Sequence, residues 1–249
     1  MLRKTMEDKL KELILEYCEK NGVKNIWKDP IIKYADAKDE EFLKLKQLVM
    51  PTHYLPEDVL ENPVTVLSYF IPFKKEIGLS NIKGYDASKE WGEAYLATNT
   101  MAAALNIKLA EFIKSLGYDA AVPQNIGFDP KILMSNWSQR HVARIAGQGT
   151  FGINNMLISD VGCCGRYFSK VTTLPIEPDV RPTVERCSYK RDGSCGVCVE
   201  RCVGDALDYS GFNRAKCYEV CLYNEKTTPG AEVCGKCVVG IPCSFSSMI

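Results

Sequence analysis

Alternating helical and strand-like patterns over residues 1–180 predict an α/β or α+β layered domain, and a cysteine-crowded stretch over residues 181–249 predicts a small metal-bearing domain behind it. Apolar residues Leu10, Leu13, Ile14, Tyr17 and Cys18 recur at spacings of three and four from Thr5 to Asn21, with Gly22 as a stop, so the chain opens with an amphipathic helix. Cys18 lies on its apolar stripe and reads as a small buried hydrophobe. Glu40 to Val49 predicts a second helix ended by Pro51. Pro63 to Phe73 is β-branched and aromatic, the pattern of a buried strand. Ser88 to Leu116 is the longest helical stretch, stopped by Gly117, and a third major helix is expected within Asp129 to Ala146. Asn155 to Ser159 and Tyr167 to Leu174 read as strands joined by a turn around DVGCCG. The prolines of LPIEPDVRP then divide the chain near residue 180.

Composition narrows the function classes. The chain has 249 residues, 31 basic and 31 acidic, and 46% are hydrophobic, so general disorder is excluded. Zero net charge argues against an electrostatic nucleic-acid or membrane binder, which needs a basic surplus to displace counterions. The first twenty residues alternate charged and apolar side chains without the apolar run of a secretory signal, and no segment has the roughly 20 apolar residues of a membrane span. A cytoplasmic location is expected.

Gly147, Gly149 and Gly152 satisfy G-x-G-x-x-G, but they follow the helical WSQRHVARIA and lead into a strand. A dinucleotide site needs the reverse order, because its pyrophosphate rests on the N-terminus of the helix that follows. These glycines instead end a helix and let backbone pass close to a flat or bulky group.

Nine of the 12 cysteines fall after residue 186. A reducing compartment favours metal over disulfides. One zinc takes four ligands, usually as C-x-x-C pairs about 15 to 20 residues apart, and nine thiols overfill it. Two [4Fe–4S] clusters take eight thiolates and leave one. SCGVCVERC places Cys195, Cys198 and Cys202 at the later spacings of the ferredoxin run, whose last cysteine serves the other cluster. The same crossing assigns Cys187, Cys195, Cys198 and Cys243 to one cluster, and Cys202, Cys217, Cys234 and Cys237 to the other. Asp192 can stand in for Cys187, and Cys221 for Cys217. Cys163 and Cys164 point to opposite sides if they lie in a strand and read as part of a tightly packed turn.

With these motifs in place, WSQRHVARIAGQGTFGINNMLIS, GRYFSKVTTLPIEPD, CGVCVERCVGDAL and CGKCVVGIPC resemble the epoxyqueuosine reductase family and, more distantly, reductive dehalogenases. The resemblance implies a nitroreductase-like α/β core binding cobalamin, a ferredoxin-like two-cluster domain, and reductive removal of oxygen or halide from a small-molecule substrate. A low-potential donor such as ferredoxin or flavodoxin would feed the clusters. The family's acidic proton donor precedes the WSQRHVARIAG helix, where this chain's KILMSNWSQ has no acid; Asp129, His141 and Tyr95 are the candidate replacements. Arg140, Arg166, Gly147, Gly149, Gly152, Asn154 and Asn155 are the expected corrinoid contacts, and Trp91, Tyr95 and Trp137 suit a cavity wall. Longer relatives continue into a helical repeat region that holds tRNA; this chain ends at Ile249, so no tRNA partner is expected. The alternative functions are an electron carrier or corrinoid-reducing partner and a zinc-stabilised interaction module.

Overall fold

A computed structural model describes residues 2–124 and 126–248. The fold is mixed α/β. Helix α1 (Leu2–Asn21) leads to strand β1 (Ile31–Asp36), helices α2 (Glu41–Leu48) and α3 (Pro56–Val59), and strand β2 (Thr65–Pro72). After α4 (Lys75–Ser80), the long helix α5 (Lys89–Ser115) crosses the molecule to β3 (Ala120–Ala121). A hairpin, β4 (Phe128–Asp129) and β5 (Met134–Ser135), precedes α6 (Gln139–Ile145), a second pair, β6 (Thr150–Phe151) and β7 (Leu157–Ile158), and strand β8 (Gly165–Thr172). The cysteine-rich part carries α7 (Ser188–Asp192), α8 (Val197–Glu200) and α9 (Arg214–Tyr223).

The main sheet runs β1-β2-β8-β3, every neighbour antiparallel. Its register puts Tyr34 opposite Leu67 and Leu67 opposite Lys170. Every residue of β2 is buried, because helices cover both faces. On one side α1 and α5 press Met6, Leu10, Met101, Leu105 and Leu109 onto Tyr34, Leu67 and Tyr69. On the other, Trp137, Val142 and Ile145 pack with Val66 and Val171.

Local sequence explains the longest helix. Ser88 caps α5 by accepting a hydrogen bond from the Trp91 amide at 3.1 Å. Its buried residues Trp91, Ala94, Thr98, Met101, Leu105 and Leu109 keep a three- or four-residue spacing, which holds one stripe against the sheet. The helix expected within Asp129 to Ala146 is shorter than that, covering only Gln139–Ile145. Pro130 and Leu133, the latter left-handed at φ 54°, close the β4–β5 hairpin and end any helical continuation.

The cysteine-rich segment shares this core. Leu207, Val238, Val239 and Ile241 belong to the same buried cluster as Trp91 and Ile71. Its tail is tied to the β7–β8 turn by backbone: Cys163 N–H donates to Cys243 O at 3.0 Å and Cys164 N–H to Ser244 O at 2.9 Å. Gly162, left-handed at φ 90°, lies where a Cβ would meet the Ser244 carbonyl at 2.5 Å, so only glycine permits this approach. Among the described residues no helix is long and apolar enough to cross a membrane.

Candidate functional site

Two sets of thiols gather at separate points. Cys187 at the start of α7, Cys195 and Cys198 at α8, and Cys243 from the tail line one pocket. That lining contains no carboxylate or imidazole. Burial, followed by the neighbouring Cys243, Cys187 and Cys195, pushes the Cys198 thiol up to about 12. Asp192 stands outside this pocket, its Oδ1 accepting from the Ser194 amide at 2.9 Å and its Oδ2 from Arg191 at 3.2 Å, so its geometry gives it no place among the donors.

The second set, Cys202, Cys217, Cys221, Cys234 and Cys237, lines one wall of a cavity of about 670 Å³. Burial and then Cys234, Cys217, Cys202 and Cys198 raise the Cys237 thiol, so the two sets are close enough to feel each other. Cys217 and Cys221 lie one turn apart on α9 and share a hydrogen bond, which first of all pulls Cys217 down to about 7, with Arg140 and Arg214 adding to it. Both cysteines therefore face the same space. Among the described residues no three His, Cys, Asp or Glu side chains are gathered closely enough to hold a single metal ion. The fit to a larger inorganic cage rests on donor chemistry, thiols alone in the first pocket and five thiols on one wall in the second.

Much of the remaining lining comes from the sheet and the helices packed on it. Phe73, Trp91, Tyr95 and Trp137 supply aromatic surface, as expected of the latter three. Arg140 at the start of α6, Arg166 on β8 and His141 also line it. The Arg166 guanidinium carbon lies 4.4 Å from the Tyr95 ring centroid, so the cation sits over the ring. His141 Nδ1 pairs with Ser138 Oγ at 2.8 Å, and its ring packs 4.9 Å from Phe151. Burial, then the positive Arg140, lowers the imidazole to about 4.

Several expected site residues sit elsewhere. Asp129 is in the β4–β5 hairpin, outside the cavity lining, where Oδ1 accepts from the Lys131 amide at 2.8 Å and shapes the turn. The glycine stretch turns towards the chain's own backbone, away from the large cavity. A Cβ on Gly149 would meet the Ile158 carbonyl at 2.0 Å, and one on Gly147 would meet Val180 O at 2.9 Å. Gly152 and Asn154 line the first thiol pocket, where Asn154 Nδ2 donates to Cys237 O at 2.7 Å. Asn155 reaches the cavity wall only through its carbonyl, which accepts from Arg140 Nη1 at 2.7 Å. The β6–β7 pair after α6 confirms the helix-then-strand order that excludes a dinucleotide loop.

Two residues escaped the sequence reading. Arg214 lines the cavity one helical turn before Cys217, a spacing that marks a shared face of α9. His53 stacks on Trp137 at 5.6 Å, accepts from the Ser138 amide through Nε2 at 3.0 Å, and so fixes the entry to α6.

A pH dependence follows from His141. Its folded pKa lies below the ordinary histidine value, so the unfolded chain binds more protons between about 6.5 and about 4. Stability should therefore fall on acidification through that window and level off beneath it. The imidazole should titrate near pH 4 by NMR, and His141→Gln should flatten the acid limb; a midpoint at or above 6.5 would contradict this environment.

No family model matches the chain. Epoxyqueuosine reductase of Staphylococcus aureus is 31% identical over 137 residues, which is 54% of this chain and 32% of that enzyme, so the match spans about a third of its relative. The fold is that of solved epoxyqueuosine reductases: the Bacillus subtilis structure superposes with TM-score 0.53 at 19% identity, covering 95% of this chain and 65% of that one. The Streptococcus thermophilus structure gives 0.55 at 18%, covering 94% and 66%. A catabolic reductive dehalogenase, in complex with 3-bromo-4-hydroxybenzoic acid, gives 0.58 at 15% but covers 88% of this chain against 30% of its own. Another structure of this fold, TM-score 0.54, holds an epoxyqueuosine-modified tRNA stem loop. The tRNA stem loop is that neighbour's ligand, and its presence on a shared fold counts against the expectation of no tRNA partner. Net charge is a whole-chain sum and does not report a local group of arginines such as that in the cavity.

Proposed function

We propose that this chain is an iron–sulfur oxidoreductase of the epoxyqueuosine reductase type, with two [4Fe–4S] clusters and a corrinoid, working in the cytoplasm on electrons from a low-potential donor such as ferredoxin or flavodoxin. The observation that carries this reading is the second thiol set forming one wall of the large cavity while the first set lies just behind it. Residues 181–249 act as the ferredoxin-like domain and residues 1–180 as the nitroreductase-like one.

Cys187, Cys195, Cys198 and Cys243 would hold one cluster, and Cys202, Cys234 and Cys237 with Cys217 or Cys221 the other. Bound clusters would supply single electrons at low potential, and a bound corrinoid the reductive bond cleavage. The aromatic wall of Phe73, Trp91 and Trp137 supports binding of a broad, flat group and keeps water from it. Arg140, partly buried beside Cys217 and Cys237, offsets thiolate charge.

The proton is best held at Tyr95 Oη. Tyr95 lines the cavity, whereas Asp129 does not, and His141 is neutral at pH 7. The Arg166 guanidinium over the Tyr95 ring holds that ring in the lining.

The anoxically purified protein should be brown and contain about eight irons and matching acid-labile sulfide per chain. A colourless protein with one zinc would overturn the reading. For whichever epoxide or halide is turned over, Tyr95→Phe should lower kcat by about 10²- to 10⁴-fold with iron content unchanged; full activity in that variant would remove Tyr95 from the proton path.

A further inference from the structure

The cavity carries an excess of positive charge that electron transfer does not use. Arg140, Arg166 and Arg214 all line it, and both other guanidiniums bear on Arg140. Among the described residues none of the three forms an ion pair with a carboxylate. Arg140 donates to the Asn155 carbonyl, Arg166 lies over Tyr95, and Arg214 Cζ is 5.8 Å from the Phe212 ring centroid. Elsewhere the chain pairs its arginines, as in Arg3–Asp179, Arg181–Asp39 and Arg186–Asp160.

Other charges of the lining do not balance these. Glu232 is its one carboxylate, and it is exposed and accepts from Tyr218 Oη at 3.1 Å. Lys236 is a further cation, but its Nζ already donates to the Asn81 and Lys83 carbonyls at 3.0 and 2.7 Å. Cys217 and Cys237 face Arg140 and, as thiolates, answer part of its charge. Arg166 has only Tyr95. Like charges grouped in a partly apolar space cost free energy until an anion joins them, and a guanidinium's planar fork suits an oxyanion.

We propose that Arg166, backed by Arg140 and Arg214, forms an anion seat, and that the molecule taken into the cavity for reduction carries a carboxylate or phosphate group. This rests on the cavity being the reaction site proposed above.

The test is calorimetric titration of the anoxically purified protein with phenylacetate, its neutral isostere phenylacetamide, and inorganic phosphate. Phenylacetate should bind about 10-fold or more tightly than the amide, the worth of a charge-assisted hydrogen bond. Added salt should shrink the ratio, and phosphate should compete. Arg166→Gln should bring the two affinities together, whereas Arg166→Lys should retain a preference for the anion. Repeating the titration after saturation with cobalamin separates the two sources of such a group: persistence of the preference assigns the seat to substrate, and its loss assigns it to the corrinoid's own phosphate and overturns the proposal. Equal binding of acid and amide, or binding of neither, also overturns it. Iron analysis of the same sample keeps the two readings apart, since about eight irons without anion preference removes the seat alone.

Discussion

The structure depends on the return of its tail to the sheet. Thiols spread from Cys187 to Cys243 reach two points only because the segment after residue 235 folds back and lays its backbone along the β7–β8 turn, through Cys163 to Cys243 and Cys164 to Ser244. Gly162 permits the contact, and Val238, Val239 and Ile241 anchor it in the core beneath. The helices of this region have four, five and ten residues, too short to position ligands by themselves. The sheet and its helices therefore act as the template on which the thiol geometry is set.

A second constraint is electrostatic. The cavity brings thiols and guanidiniums together, and each alters the other: Arg140 and Arg214 help to pull Cys217 down, while Cys237 and Cys217 favour the charged form of Arg140. Burial, with the same positive field added to it, holds His141 neutral.

Much of this was legible in the sequence where the signal was periodic or a matter of spacing. The stripe of α5, its Ser88 cap and the strand around Val66 follow from residue types at helical and strand periods. The crossing of Cys202 to one set and Cys243 to the other was expected from ferredoxin spacing; Cys243 lines the first pocket and Cys202 the cavity, where the proposed assignment needs them. Other features needed the fold. Strand β1 is six residues with a lysine and an aspartate, and is defined by its pairing to β2. The glycines after α6 are letters compatible with ligand approach, yet the close neighbour of Gly149 is the carbonyl of Ile158. Arg214 carries no motif, and only the packing of α9 against the cavity brings it close to Arg140.

The central claim is that two interleaved thiol sets each enclose a four-iron cage. Anomalous diffraction at the iron edge, from crystals grown without oxygen, tests it most directly. The account requires two four-iron centres, one ringed by Cys187, Cys195, Cys198 and Cys243, the other by Cys202, Cys234, Cys237 and a cysteine of α9. Single metal ions, disulfides between these cysteines, or Cys202 and Cys243 on each other's centres would contradict it.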